Sequence, residues 1–106
     1  MFEVVLAPSA VISLHALPAR VRATVRDAME RHLRRAPTRT SKSRIKRLRG
    51  LSRPQYRLRV DDIRVFYDIT EATVEVLAIV SKAEAQAWLD TEGTSEEGGR
   101  PGQDEG

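Results

Sequence analysis

The chain of 106 residues contains no cysteine. That absence excludes a disulfide framework and any thiolate metal site, and it allows a reducing compartment. Long apolar runs are missing too, since no stretch approaches the ~18 residues that a membrane span needs. The start, Met1-Phe2-Glu3-Val4-Val5-Leu6, has neither a basic leader nor an extended apolar segment, so it does not read as a signal peptide. The histidines are His15 and His32, and neither comes with a second acid–base partner or a ligand spacing. Both therefore read as structural or surface residues. Asp61-Asp62 reads as a turn, and nothing else suggests a metal. The expectation is one soluble, cytoplasmic domain with a modest core, no metal and no other cofactor.

Acidic residues are scarce where basic ones are dense. From Arg20 to Arg64 the acids are Asp27, Glu30, Asp61 and Asp62, set against a long series of arginines and lysines. The densest part holds Arg39, Lys42, Arg44, Lys46, Arg47, Arg49 and Arg53. After Trp88 the balance reverses, with Asp90, Glu92, Glu96, Glu97, Asp104 and Glu105 opposed by Arg100. From about Thr91 this tail is rich in Gly, Ser and Glu and lacks an apolar anchor, so residues 91–106 read as disordered. The folded domain, residues 1–90, is then much more basic than the formal charge of +3 implies. Its natural partners are polyanions, either nucleic acid or an acidic protein segment.

The hydropathy pattern predicts the order β-α-α-β-β-β-α, an α+β domain with helices packed on one face of a small, mostly antiparallel sheet. Phe2–Leu6 reads as a strand with Phe2, Val4 and Leu6 on one face. Pro8-Ser9 opens a helix to about Leu17, and Pro18 sits at a first-turn position for a second helix. The stripe Leu17, Val21, Val25, Ala28, Met29, Leu33 follows helical spacing, and Ala36-Pro37 ends it. Thr38–Ser43 reads as a loop. Strands follow at about Gln55–Val60, Ile63–Tyr67 and Thr73–Val80, then a helix from near Lys82.

The hairpin carries the most information. Gln55–Val60 and Ile63–Ile69 alternate strictly, and Asp61-Asp62 between them suits a tight turn. With two residues in the turn, Val60 opposes Ile63, Leu58 opposes Val65 and Tyr56 opposes Tyr67, which makes a coherent apolar face. On the reverse face Arg59 lies opposite Arg64, with Arg57 beside Phe66. Like charges directly opposed across a strand pair destabilise it by some tenths of a kcal/mol up to ~1. A sheet that accepts this holds its arginines for an anion. A loop at Thr70–Thr73 then pairs Tyr67 with Val76, Val65 with Ala78, Phe66 with Leu77 and Arg64 with Ile79. The second face is thus basic near the arginines and apolar around Phe66, Leu77 and Ile79, where a partner can cover it.

Arg47–Gly50, Tyr56–Val60, Ile63–Ile69 and Val74–Lys82 together resemble the RelE/ParE superfamily of bacterial type II toxins, over roughly residues 2–90. The resemblance implies a small toxin neutralised by a cognate antitoxin that wraps it. It further implies cleavage of mRNA on the ribosome in the RelE branch, or inhibition of DNA gyrase in the ParE branch. By motif, Arg57 and Arg59 take the second-strand basic places and Arg64 the third-strand place. Lys82 takes the late basic position and Trp88 the late aromatic one.

RNA cleavage through the 2′-OH needs no metal. The protein must hold the phosphate in line, stabilise added negative charge and manage proton transfer. Arg64 and Lys82 would stabilise the phosphorane, and Trp88 would stack on a base. Lys42, Arg44, Lys46, Arg47, Arg49 and Arg53 would contact RNA or the ribosome. The antitoxin would cover Phe66, Leu77 and Ile79, and operator DNA would be reached through it. Arginine at Arg57 and Arg59 is a poor base, and Trp88 has no phenol, so phosphate binding is better supported than proton transfer. The plainer alternatives are solvated surface charge for the hairpin arginines, a soluble linker or antitoxin dock for Lys42–Arg53, and core or interface packing for Trp88. Lys82 has the alternative of a surface lysine at a helix start. A gyrase poison or a non-cleaving antitoxin-binding module stands beside the nuclease.

Overall fold

The computed structural model describes residues 1–96. Strand β1 (Glu3–Leu6) is followed by helix α1 (Pro8–Ala16) and helix α2 (Ala19–Ala28). A wider, π-type turn at Met29–Leu33 extends α2 without a break. Pro8 stands in the first turn of α1, where its missing N–H leaves nothing unpaired. Pro18 lies one residue before α2 rather than inside its first turn, as its N-cap residue. The predicted stripe faces the core: Val25, Met29 and Leu33 are buried, and Leu17, Val21 and Ala28 pack beside them.

Strands β2 (Ile45–Arg47), β3 (Leu51–Arg53), β4 (Tyr56–Val60), β5 (Ile63–Thr70) and β6 (Thr73–Ser81) lead into helix α3 (Lys82–Glu92) and strand β7 (Thr94–Ser95). The main sheet runs β1-β6-β5-β4-β2, and β1 lies parallel to β6 while the other pairs are antiparallel. This is the expected α+β class. The β4–β5 register is the predicted one, residue for residue, from Tyr56↔Tyr67 to Val60↔Ile63. One sheet face, with Leu58, Val60, Ile63, Val65, Tyr67, Val74 and Val76, packs against α1 and α2. The buried Tyr67 hydroxyl donates to the carbonyl of Pro37 at 2.6 Å, which ties the chain leaving α2 to the sheet centre.

Several expectations are corrected. The β5–β6 pairing holds at Ile69↔Val74 and Tyr67↔Val76, then slips by one, so that Phe66 faces Ala78, Val65 faces Ile79 and Arg64 faces Val80. Leu77 is the extra residue of a β-bulge, which reverses the facing of everything after it on β6. Ile79 therefore joins the inner core and is 3% exposed, while Phe66 and Leu77 are 1% and 8% exposed. The open apolar patch expected at Phe66, Leu77 and Ile79 does not exist.

Helix α3 supplies the cover. Trp88 stacks on Phe66, ring centroids 5.1 Å apart and planes 5° from parallel, so α3 lies on the sheet face opposite α1 and α2. The short strands β2, β3 and β7 are additional to the expected elements. The boundary expected at Thr91 falls inside α3, and Thr94–Ser95 pair with Leu51–Arg53. Residues 97–106 of the expected tail lie outside the described residues. Among the described residues no helix is long and apolar enough to cross a membrane.

Candidate functional site

The β4–β5 turn sets the site. Asp61 adopts φ 52°, a left-handed conformation that Asp tolerates better than most residues, so two residues suffice to reverse the chain. Arg59 is thereby placed directly opposite Arg64, and Arg57 opposite Phe66. On the other side of β4, Lys46 of β2 stands opposite Arg57. Four cationic side chains thus share one sheet face.

Their environments differ. Arg64 is 7% exposed, and its Nη1 donates to the carbonyls of Asp61 at 2.8 Å and Ile63 at 3.2 Å. Those bonds fix the guanidinium over the turn without neutralising its charge. Arg57 is half-buried, and its Nε has no hydrogen-bond partner. Burial, then the charges of Arg64 and Arg59, hold the Arg57 guanidinium below its ordinary pKa. Arg59 is exposed. Among the described residues the ion pairs are Arg31–Asp27, Arg34–Glu30, and Arg53 with Asp68 and Glu75. None involves Arg57, Arg59 or Arg64. An unpaired buried charge is costly, and a phosphate between these side chains would offset that cost with charge-assisted bonds.

Lys82 is exposed at the first position of α3, and its backbone N–H donates to Asp62 O at 2.7 Å. The helix therefore starts against the hairpin turn, capped by Ser81 Oγ, which accepts from Glu84 N at 3.2 Å. Trp88 is half-buried and gives one ring face to Phe66. That contact is the packing role considered for it; one ring face is already filled.

The basic stretch before the hairpin divides. Arg47 donates to Gln55 O at 2.8 Å and lies 5.3 Å over the Tyr56 ring, and Arg53 holds Asp68 at 3.1 Å. Asp68 also accepts from Gln55 N at 2.7 Å, yet burial raises its carboxyl pKa overall. Arg47 and Arg53 are thus fastened within the fold. Lys42, Lys46 and Arg49 are exposed, and the last two line a groove of about 730 Å³ against Gln86 and Leu89 of α3. Arg44 turns the other way, its Nη1 3.0 Å from His32 Nε2. His32, expected to be a structural or surface residue, lies in one cleft with Arg44 and Arg59. The available signal was the basic run Arg31, His32, Arg34, Arg35; its contact with a residue twelve positions on was not legible. Burial, then Arg44 and Arg31, lower the His32 pKa, so the ring is neutral at neutral pH.

Comparison with known proteins agrees with this architecture. The family model of the ParE toxin of type II toxin–antitoxin systems, parDE, matches residues 4–86. The chain belongs to this family, within the RelE/ParE superfamily of toxins. Among solved structures, it is similar to a chain of the RelB–RelE antitoxin–toxin complex from Methanococcus jannaschii, with TM-score 0.62 and 18% identity over 79% of this chain and 96% of that one. A chain of the RelBE2 toxin–antitoxin complex from Mycobacterium tuberculosis matches with TM-score 0.59 and 28% identity, covering 76% of this chain and 96% of that one. The YoeB/ParE toxin from Agrobacterium tumefaciens matches with TM-score 0.60 and 15% identity, covering 76% and 98%. No curated protein matches the chain.

Proposed function

We propose that this type II toxin is a ribosome-dependent endoribonuclease that cleaves mRNA by attack of a 2′-OH on the adjacent phosphorus, and that a cognate antitoxin restrains it. The observation that carries the reading is the group Arg57, Arg59 and Arg64: mutually repelling, partly buried and, among the described residues, without a carboxylate partner. In the reaction the 2′-oxygen bonds to phosphorus, its proton leaves, and the bond to the 5′-oxygen breaks as that oxygen takes up a proton. A 2′,3′-cyclic phosphate and a 5′-hydroxyl result. The guanidiniums hold the non-bridging oxygens and stabilise the charge gathered in the phosphorane. Lys82, beside the hairpin turn, is the candidate that assists the leaving oxygen. The antitoxin partner is supported by relatives that occur in toxin–antitoxin complexes.

A second reading, a gyrase inhibitor without chemistry of its own, is favoured by the family match to ParE toxins. One experiment separates the two. Primer extension on mRNA from translating ribosomes treated with the purified protein should show sharp cuts. Folded Arg57→Gln and Arg59→Gln variants should lose most of them. Uncut mRNA from a protein that still arrests growth would refute the nuclease and favour gyrase.

A further inference from the structure

The cleft shared by Arg59, Arg44, His32 and Arg31 has a volume of about 420 Å³ and lies between the end of α2 and the hairpin-turn end of β4. A second cleft of about 440 Å³ shares Arg31, His32 and Arg44 and continues past Arg35 and Arg39. Together they form one groove leading away from the hairpin. Arg59 belongs to both surfaces, because it faces Arg64 across the hairpin and also lines the groove.

The charge of this groove is largely unspent. The carboxylates on its walls are Asp27, which pairs with Arg31, and Asp61, near the hairpin; among the described residues Arg35, Arg39, Arg44 and Arg59 have no carboxylate partner. Arg44 instead directs one guanidinium nitrogen to the neutral His32 ring. The walls carry no aromatic side chain, and their apolar members are Ala28, Val60, Ala36 and the buried Ile45. An amphipathic protein segment would find no apolar anchors here, and bases would find no stacking platform. A chain of evenly spaced phosphates needs neither.

We propose that this groove binds the sugar-phosphate backbone of single-stranded nucleic acid, extending from the phosphate held at the hairpin. The proposal rests on the nuclease reading for the identity of the strand, but it is tested by binding alone, without ribosomes. Recognition is independent of sequence, and Arg35 and Arg39 hold the end of the strand farthest from Arg59.

Fluorescence anisotropy with a short labelled oligouridylate tests it. The groove variant Arg35→Gln/Arg39→Gln is compared with Arg20→Gln/Arg26→Gln, an equal charge change at exposed α2 positions outside the groove. Losing two phosphate contacts should weaken binding roughly tenfold at low salt and flatten the salt dependence of log K by about 1.4. The control should change affinity by less than about twofold. Oligothymidylate should bind about as well as oligouridylate, because the backbone is what is read. Equal losses in both variants, or none in the groove variant, would overturn the proposal. Tighter binding of polyglutamate than of oligouridylate would overturn it in favour of an acidic protein partner. Failure here leaves the cleavage assay with the hairpin variants unaffected, so the two readings fail separately.

Discussion

Arg59 and Arg64 face each other across a hairpin, yet their replacement should move stability in opposite directions. Arg59 is exposed and, among the described residues, has no carboxylate partner, so Arg59→Gln removes a cross-strand repulsion and little else. Relief of like charges directly opposed is worth some tenths of a kcal/mol up to about 1 kcal/mol. For a domain of this size that gain raises Tm by about 2 to 6 °C. Arg64→Gln also removes the repulsion, but it forfeits the Nη1 bonds to Asp61 O and Ile63 O. Hydrogen bonds from a charged donor contribute about 1.5–3 kcal/mol each, so the loss outweighs the gain and Tm falls. Thermal unfolding at low salt, followed through the fluorescence of the single tryptophan, Trp88, reads both. Added salt should shrink the benefit of Arg59→Gln, because the Debye length falls to about 10 Å at 0.1 M. Inorganic phosphate should stabilise the wild type more than the variant, since an anion bound to the folded state shifts the equilibrium by mass action. An Arg59→Gln protein less stable than wild type at low salt would refute the claim that the pair is held at a cost. The case for an anion site on the hairpin would then lose its physical basis.

Two further perturbations test the frame around the site. Tyr67→Phe leaves the buried acceptor on Pro37 without its 2.6 Å donor and should cost about 1–3 kcal/mol in urea unfolding with an unchanged m-value; an unchanged midpoint would show that this bond does not tie α2 to the sheet. The His32 pKa is lowered from 6.5 by burial, then by Arg44 and Arg31 against the opposing Asp27, so its stability contribution is complete above 6.5 and is lost as pH falls through the folded value. Wild type should therefore lose more Tm than His32→Gln between pH 7 and about 5, and parallel profiles would place His32 outside the charged groove.

Local chemistry was legible wherever pairing was local. The period of two in Gln55–Ile69 and the Asp61-Asp62 turn determine the β4–β5 register, because a slip by one residue would expose Leu58 and Val65. The α2 stripe was legible for the same reason at helical spacing. Phe2, Val4 and Leu6 turn to the core as their alternation predicts, although the parallel partner β6 lies some seventy residues on. The strands β2, β3 and β7, of two or three residues each, carry too little periodicity to be seen. Arg47 and Arg53 looked free because their partners are set by tertiary placement: Tyr56 lies on β4, which pairs with β2, and Asp68 lies on β5, outside the small sheet that holds Arg53.

The bulge at Leu77 is the least legible feature and has the largest consequence for the site. Val74–Ile79 is apolar at every position but Glu75, so neither face of β6 is marked and the alternation cannot report an inserted residue. With continuous register, Leu77 would face Phe66 and Ile79 would face Arg64, leaving an apolar strip for a partner protein. With the bulge, Phe66 faces the small Ala78, and Trp88 seats flat on the phenyl ring. That stack brings α3 across the second face, while the bond from Lys82 N to Asp62 O sets its start against the hairpin turn. One extra residue thus exchanges an open docking strip for a self-covered face bordered by Arg57 and Arg64. It follows that an antitoxin reaching Phe66 must first displace α3, whereas one that leaves the Phe66–Trp88 stack intact must bind elsewhere on the surface.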